Sequence, residues 1–546
     1  MGELLAVGCR LSAIWVGGGS QYNDDVLVKS LPVITALTAA AAAWTAARYA
    51  AFSPLLWIVL LLGILALAPE RRRLFATSWL LAGLGLLATS WVVTLDHELA
   101  VHHSLYFLGA ALLFGLARVV APGDRVLVAL ALAIAATSAV ALWQWGAGFD
   151  RALGMVDALP EALREAASTR LTAGRAFGTS ALPGHFAALL LLALPLLVGA
   201  LSSTRGRERV GLGVALLPVT LALILTRSLA AVLVGGALLL LTLFGRRLRR
   251  WHLAVAGAIV AMAVVVVLLR PDLAHLEPLS LRWVNWRTTA RVLASHPWTG
   301  VGLGGVGQAG MTLPGTAENI TPYTHNTWLQ LLAELGLAGA GLVVAGAVGL
   351  VKLVSRGLAD HRPLALAVAV LPLHNVVDFS AYAPEVLLPW AVLAGALAAR
   401  VSPGPERPVP SWVLVPLLVT GSLLSVVAWR GEAALAAALA GPPEEVATRG
   451  LAAAHWSPWA VTPVLVAVDA LRLRPGDREV VAAADDALAG RWWVRPRSAA
   501  WAEARATLLL ELNRPGEALV WAREARRRAP HRAELVALED ACRHAR

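Results

Sequence analysis

The sequence predicts an all-α, polytopic transmembrane bundle of about thirteen spans, followed by a small extramembrane α-helical domain. Of its 546 residues, 58% are hydrophobic and only 15% are charged, whereas an average globular domain has about 25% charged residues. Apolar runs such as 126–145 and 253–269 are long enough to cross about 30 Å of hydrocarbon as helices. Because a helix satisfies its own backbone in a bilayer, and no strand-like alternation is present, the composition excludes a soluble enzyme.

The apolar segments divide the chain into three parts. We expect an N-terminal segment at 1–31, with a doubtful extra span at 4–19, a membrane core at 32–430 and a helical domain at 431–546. The stretch 210–245 contains a single charge, Arg227, and its length predicts a tight hairpin of two spans. The thirteen predicted spans are 32–49, 54–69, 75–94, 102–119, 126–146, 183–201, 210–226, 228–245, 252–269, 327–351, 363–380, 385–400 and 411–429.

The short loops predict the orientation. Basic clusters at 71–73, 205–209, 246–250 and 352–362 lie on one side if the spans alternate, and the loops 95–101 and 381–384 contain no Lys or Arg. The basic side is cytoplasmic by the positive-inside rule. The long loops 147–182 and 270–326, and everything after 430, are therefore expected on the outer face of a bacterial cytoplasmic membrane. The net charge of +11 fits these topology signals, so no nucleic acid partner is expected.

The C-terminal region is rich in Ala, Arg and Glu. Small residues at Ala518, Ala522 and Ala525, followed by Pro530, are typical of the second helix of a tetratricopeptide repeat. A weaker match to the same pattern ends at Pro475. The separation between Pro475 and Pro530 does not match the about 34 residues of that repeat. We expect a small helical-hairpin domain that is TPR-like or otherwise, and that offers a surface for a protein partner.

The candidate chemistry begins at the predicted span 327–351. Asn326, Gln330 and Glu334 recur every fourth residue, so they share one helix face. A carboxylate inside a membrane usually faces a cavity or a partner, although a structural stripe bonded to neighbouring helices is the alternative. His325 precedes this helix and could act as a general base, or simply be solvated or cap the helix, a role also open to Thr324 and Asn326.

Arginines precede this histidine in the same outer loop. A guanidinium group suits phosphate oxygens through paired hydrogen bonds, and an interfacial anchor is the alternative for each arginine. Arg282, Trp286 and Thr289 would share one helical face, and Arg287 and Arg291 lie near them.

Three further residues face the same compartment. Arg175 ends the first long loop, Arg227 lies at the hairpin tip, and Asp378 follows His374 near the outer end of the span 363–380. Arg227 could instead extend to the interface, and Asp378 could be solvated at a helix end. "GLGGVG" at Gly302–Gly307 matches a dinucleotide fingerprint only in its letters, because no βαβ unit surrounds it. A flexible turn or a backbone amide nest near an anionic ligand is the better interpretation.

Taken together, these residues resemble the O-antigen ligase and polymerase superfamily of bacterial membrane glycosyltransferases. The loop "RAFGT" and the later His374 to Asp378 segment are similar to weaker family signatures. A hairpin signature of the form T-x-S-R-G-A is matched only loosely, since Arg227 lies two positions from the place of its arginine. The block that carries the resemblance comprises Arg282, Trp286, His296, Pro297, Gly300–Gly304, His325, Asn326, Leu329, Glu334, Gly336 and Gly339.

The resemblance implies a glycan transfer at the outer membrane face. The donor would be an undecaprenyl-diphosphate-linked glycan, and the acceptor another glycan, lipid A-core or, in some members, a protein. His325 would be the catalytic base, with Asn326, Glu334 and Asp378 supporting the cavity. No metal or other cofactor is expected. The donor diphosphate would be held by Arg282, with Arg227, Arg175 and Arg291 as further candidates.

Two other classes remain open. A transporter or flippase of lipid-linked glycans would need charges distributed through both leaflets and preferably an internal repeat. A non-enzymatic assembly scaffold would use the C-terminal domain for partners. Within the enzyme class, the residues do not separate a ligase from a polymerase, although the C-terminal domain favours polymerisation or a partner-regulated complex.

Overall fold

The computed structural model describes residues 57, 60–64, 77–156, 161–244, 277–313, 321–402, 408–473, 477–530 and 532–545. Within these ranges the chain forms helices joined by turns, and no β-strand occurs there. The helices are α1 Thr77–Val93, α2 His97–Val120, α3 Asp124–Ala136, α4 Ser138–Trp143, α5 Phe149–Leu153, α6 Glu161–Thr172, α7 Pro183–Ser203, α8 Gly206–Leu225, α9 Leu229–Phe244, α10 Glu277–Ser295, α11 Val306–Met311, α12 Thr327–Asp360, α13 Arg362–His374, α14 Pro384–Val401, α15 Ser411–Leu439, α16 Val446–Trp456, α17 Thr462–Leu473, α18 Arg478–Ala489, α19 Ala499–Glu511, α20 Pro515–Arg528 and α21 Glu534–His544.

Seven helical segments of the described chain are long and apolar enough to cross a membrane. They are His97–Val120, Asp124–Leu153, Pro183–Ser203, Gly206–Leu225, Thr327–Asp360, Pro384–Val401 and Ser411–Leu439, with shorter apolar helices at Leu80–Val93 and Arg362–His374. The predicted all-α, multi-pass architecture is confirmed, but the count of thirteen spans is not. The predicted spans 4–19, 32–49, 54–69 and 252–269 lie wholly or largely outside the described residues.

The centre of the bundle is helix α7. Its residues from His185 to Val198 are buried without interruption, and it packs against α3, α8, α9, α13 and α14. A helix that is hydrophobic all round belongs in the interior of a larger bundle. Pro183 occupies the first turn, where its missing N–H is not needed. Helix α7 therefore fixes the residues at its N-terminus against the surrounding spans.

Helix α12 is broken at Gly336, which adopts φ 60° and ψ −163°. The segment 297–302 fills the break: the Val301 N–H donates to the Ala333 carbonyl at 3.0 Å, and the Leu337 N–H donates to the Pro297 carbonyl at 2.8 Å. A Cβ atom on Gly336 would collide with the backbone of this segment. Irregular backbone at membrane depth is tolerated where protein groups satisfy it, so the two halves of the resemblance block form one structural unit.

The C-terminal region continues directly from the membrane bundle. Helix α15 runs without a break from Ser411 to Leu439, so the predicted boundary at 430 lies inside a helix. Helices α16–α21 then pack mainly on their neighbours in sequence. Ala518, Ala522 and Ala525 are fully buried, as expected for close helix packing. A helical domain is therefore present, whereas its identity as a tetratricopeptide repeat is not confirmed.

This domain is docked on the turn between α1 and α2 by buried polar contacts. Arg495 pairs with Asp96 at 2.9 Å and with Glu98 at 3.1 Å. Glu98 also accepts hydrogen bonds from the backbone N–H groups of Val461 and Thr462. The same turn holds the 300–305 loop through Thr94, whose hydroxyl donates to the Leu303 carbonyl at 2.8 Å. The C-terminal domain and the loop that fills α12 therefore meet at one end of the bundle.

Candidate active site

His325 is held by its backbone rather than by its ring. Trp286 donates a hydrogen bond from Nε1 to the His325 carbonyl at 3.3 Å, and the hydroxyls of Thr289 and Thr324 are 2.8 Å apart. The predicted shared face of α10 therefore packs on the segment 324–325. Asn326 is the N-cap of α12, with its Oδ1 accepting from the Leu329 N–H at 3.0 Å, so Asn326 rather than Thr324 takes the capping role.

The backbone of His325 is left-handed, with φ 56°. Such a conformation is uncommon for a residue other than glycine, and strained positions of this kind cluster at functional sites. The ring packs edge-on against Phe379, with centroids 4.7 Å apart. Its Nδ1 atom is buried and makes no hydrogen bond to the described residues. The imidazole is thus fixed in direction while retaining free proton-binding capacity.

Electrostatics keep this imidazole neutral. Burial lowers the pKa of His325 to about 4, the charge of Asp378 opposes this shift, and the charges of Arg282 and His185 add to it. A neutral imidazole can accept a proton. Because Arg282 and Asp378 both affect His325, the three side chains lie in one electrostatic neighbourhood.

Asp378 lies at the N-terminus of α7. One carboxylate oxygen accepts from the Phe379 N–H at 2.6 Å, and the other faces Gly184 so closely that a Cβ there would collide with it. A helix N-terminus favours a negative charge. Burial alone would raise the pKa of Asp378, but the charges of His374 and His185, with smaller effects from the Phe379 N–H and Arg282, hold it below its usual value.

Arg175 and Arg227 complete the cluster from the hairpin side. The Arg175 Nε donates to the Thr226 carbonyl at 3.0 Å, and Arg227 donates to the Ala173 carbonyl at 3.1 Å. Burial is the main cause that lowers the pKa of Arg175, with further effects from Arg282, Asp378 and Arg227. We call Arg175, Arg227, Arg282, His325 and Asp378 the site cluster.

Two predicted site residues lie apart from the site cluster. Arg291 is exposed on α10 and does not contribute to the pKa shifts of Arg175, His325 or Asp378. Glu334 is fully buried, and its carboxylate accepts from Gln330 Nε2 and the Gly304 N–H at 3.0 Å and from the Tyr382 hydroxyl at 2.6 Å. Glu334 therefore anchors the glycine-rich loop at 300–305, which we call the glycine loop. This is the structural alternative that the sequence analysis left open for this helix face.

The backbone N–H groups of the glycine loop form a nest, and the anion in this nest is a carboxylate of the protein itself. Its four successive amides at Val301, Gly302, Leu303 and Gly304 donate to the Ala333 carbonyl, the Glu334 carbonyl, the Ser90 hydroxyl and the Glu334 carboxylate, respectively. The loop is therefore not a flexible turn, and its amides are not free to bind a ligand. The loop is a rigid brace between α1 and α12.

Sequence reasoning missed several residues around the cluster. His185 packs edge-on against Phe379 and lies 3.8 Å from Glu385, and Tyr323 stacks on Phe379 with centroids 4.4 Å apart. His185 lies in the "PGH" that begins α7, so its position at the mouth of a predicted span was an available signal. The contact of Phe379 with three rings had no sequence signal, because it joins segments that are distant along the chain.

An apolar cavity of about 580 Å³ lies between α1, α2 and α12. Leu303 of the glycine loop and Leu331 and Leu335 of α12 line it, so it begins beside the loop that Glu334 anchors. Its walls are aliphatic and aromatic side chains contributed by membrane helices, which suits an apolar chain rather than a sugar.

The fold and the site define a multi-pass helical membrane protein with a polar cluster at one end of its bundle. Residues 212–344 match the family model described as O-antigen ligase, which confirms the resemblance to the O-antigen ligase and polymerase superfamily. The matched region contains Arg227, Arg282 and His325, the glycine loop and the break in α12. The family implies a membrane enzyme that transfers glycans. Comparison with curated proteins gives no match.

Proposed function

We propose that this protein transfers an oligosaccharide or polysaccharide from an undecaprenyl-diphosphate donor to a glycan or lipid A-core acceptor on the outer face of the cytoplasmic membrane. The observation that carries the proposal is the site cluster, in which a neutral, strained His325 is influenced by the charge of Arg282, and Arg282 and Arg227 in turn act on Arg175. The 580 Å³ apolar cavity beside the glycine loop suits part of a polyprenyl chain.

The reaction is an inverting displacement. The acceptor hydroxyl oxygen attacks the anomeric carbon, and a new C–O bond forms while the bond from that carbon to the diphosphate oxygen breaks. The electron pair of the broken bond leaves with the diphosphate. His325 takes the proton of the attacking hydroxyl and later releases it to solvent.

The arginines stabilise the leaving group. Negative charge develops on the diphosphate oxygen in the transition state, and fixed guanidinium groups in a partly buried site favour that charge. Arg175 and Arg227 are already oriented by backbone carbonyls, so little rearrangement is required when the donor binds. The donor's negative charge would also raise the pKa of His325, which makes the imidazole a better base only when the donor is in place.

The test is a transfer assay with the purified protein in nanodiscs and a radiolabelled lipid-diphosphate oligosaccharide. His325→Ala should abolish transfer, and His325→Asn should do so as well while tolerating the left-handed backbone. Both proteins should insert as the wild type does, and His325→Asn should unfold near the wild-type midpoint at neutral pH. A matched control is His544→Ala, in an exposed histidine of α21. Normal transfer by either His325 variant would reject the proposed base.

The acceptor is resolved by the glycan profile of a deletion strain. Single repeat units that remain attached, with all long chains lost, indicate a polymerase. Long chains that accumulate on the lipid carrier indicate a ligase.

A further inference from the structure

A second cavity, of about 470 Å³, lies where the C-terminal domain meets the loop that follows α11. Thr312 lines it from the membrane core, and the other lining residues are Pro496, Arg497, Glu524, Arg527 and Arg528. We call this cavity the domain cleft. Gly307 of α11 packs against Pro322, three residues before His325. The domain cleft and the site cluster are therefore linked through one short helix.

The domain cleft has an excess of positive charge. Glu524 forms hydrogen bonds with both Arg527 and Arg528. The bonds with Arg527 are the main cause that lowers the pKa of Glu524 to about 2, so its carboxylate is ionised at neutral pH. One carboxylate thus faces three guanidinium groups. Among the described lining residues, two positive charges are left without a balancing carboxylate.

Arg497 supplies one of these charges and differs from its neighbours. In the described part of α16–α21 and their connecting turns, every other arginine has a hydrogen bond, an ion pair or a ring contact, for example Arg505 with Asp485 at 3.2 Å and Arg532 with Glu503 at 2.8 Å. Arg497 is exposed and makes none of these contacts with the residues that the structure describes. An arginine that lines a cavity without a partner is available to a ligand.

The turn that carries Arg497 also presents aromatic rings. Trp492 and Trp493 are 61% and 40% exposed, and the segment is fixed because the His97 N–H donates to the Val494 carbonyl at 2.8 Å. Flat indole rings provide contact area at low conformational cost and suit the apolar faces of sugar rings. Cations and aromatic rings on one rigid turn suit a polymer that is both saccharide and anion.

We propose that the domain cleft binds an anionic stretch of glycan, in which sugars bear carboxylate or phosphate groups, and guides it towards the site cluster. The inference deepens the proposed function by naming the chemical class of its glycan. A membrane surface is the less favoured occupant because the cleft is concave and bounded by two separate parts of the chain. Bidentate contacts from Arg497 to a carboxylate or phosphate would carry most of the specificity.

The experiment measures binding of a fluorescent oligogalacturonate to the full-length protein in nanodiscs of neutral lipid. All variants carry His325→Asn, so no transfer is required, and failure of the proposed catalytic function leaves this test intact. We expect Arg497→Gln to weaken binding about tenfold, the loss of one charge-assisted hydrogen-bonding group. The matched control is Arg449→Gln, which removes an exposed arginine that pairs with Glu445 outside the cleft and should leave binding unchanged.

Three outcomes would overturn the proposal. One is equal binding by the Arg497→Gln and Arg449→Gln proteins, and a second is equal binding of a neutral malto-oligosaccharide of the same length. The third is a loss of affinity for phosphatidylglycerol vesicles in Arg497→Gln with oligogalacturonate binding intact, which would identify a membrane contact instead. Conversely, weaker binding confined to the cleft variant, together with strong salt dependence, would support it.

Discussion

The arginines of the site cluster and those of the C-terminal domain differ in what neutralises them. In the domain, Glu539 alone pairs with Arg523, Arg526 and Arg543. At the site, Arg175 and Arg227 donate to backbone carbonyls, and no described carboxylate pairs with them or with Arg282. Apart from Arg497, the arginines of the domain are therefore used for structure, whereas those of the site cluster are left available.

This difference has a physical reason. A paired arginine contributes to stability but offers little to a ligand, because its fork of donors is occupied. Unpaired cations repel one another and are kept only where the surrounding fold holds them, as the hairpin turn and α10 do here. The two regions predict opposite consequences for the same substitution: lost activity at the site and lost stability or docking in the domain.

Among the arginines, the largest effect should come from Arg282. In the proposed reaction, Arg282→Gln would remove a cation that stabilises the leaving diphosphate, and losing one such contact costs about 3 kcal/mol of transition-state stabilisation, or about two orders of magnitude in kcat/KM. The thermal unfolding midpoint should stay near that of the wild type. The measurement is the initial rate of transfer over a range of donor concentrations.

Arg287→Gln is the control for that experiment, since Arg287 is exposed on the same helix and lies about 140° around it from Arg282. If both variants lost activity equally, the general charge of α10 rather than the site cluster would be responsible.

Glu334 shows how far the sequence could predict the site. Its helix face and its position within an apolar helix followed from the sequence pattern, which left the cap open between Thr324 and Asn326. Its partners did not, because Gly304 and Tyr382 come from distant segments, and the break at Gly336 becomes visible only when the 297–302 segment fills it. Sequence periodicity assumes a continuous helix, so it placed Glu334 in a cavity rather than in an anchor.

Removing that anchor should be the next largest effect, and it should act on stability. Glu334→Ala leaves three buried donors without their acceptor, which costs about 3 kcal/mol in the free energy of unfolding. Thermal unfolding in detergent measures it, with Glu511→Ala, at the exposed end of α19, as the control. If the thermal unfolding midpoint were unchanged and transfer were lost, Glu334 would have a role in catalysis rather than in stability.

Arg495 is a paired arginine at the contact between the C-terminal domain and the membrane bundle, so its substitution tests the structural role of such pairs. Arg495→Gln leaves the buried carboxylates of Asp96 and Glu98 without their cation, and this should weaken docking by about 2 kcal/mol. Burial raises the pKa of Asp96 despite the opposing charge of Arg495, so its carboxylate would be still harder to ionise without the arginine.

The measurement is limited proteolysis near 440–445, where α15 ends. Cleavage should be faster in Arg495→Gln than in Arg449→Gln, whose exposed ion pair is worth well under about 1 kcal/mol. Equal cleavage rates would mean that apolar contacts alone hold the domain.

The smallest expected effect is a shift in the pH dependence of kcat/KM, caused by the charges near His325. This effect tests the mechanism most directly. Its neutral form is the base, and its pKa is lowered to about 4, so kcat/KM should persist as the pH falls to about 5 and be lost as it approaches about 4. Arg282 lowers and Asp378 raises this pKa, so Arg282→Gln should move the acid limb to higher pH and Asp378→Asn to lower pH. If the acid limbs of the two variants moved in the same direction, His325 would not lie between the opposing charges of Arg282 and Asp378.

The same shift has a consequence for folding. The folded pKa of His325 lies below its unfolded value of about 6.5, so between these pH values the unfolded chain binds more protons. Its contribution to stability is therefore lost as the pH falls from about 6.5 towards about 4. His325→Asn removes this contribution, and its unfolding midpoint should fall less steeply over that range than that of the wild type. An equal slope in the wild type and His325→Asn would mean that this histidine is not buried in its neutral form.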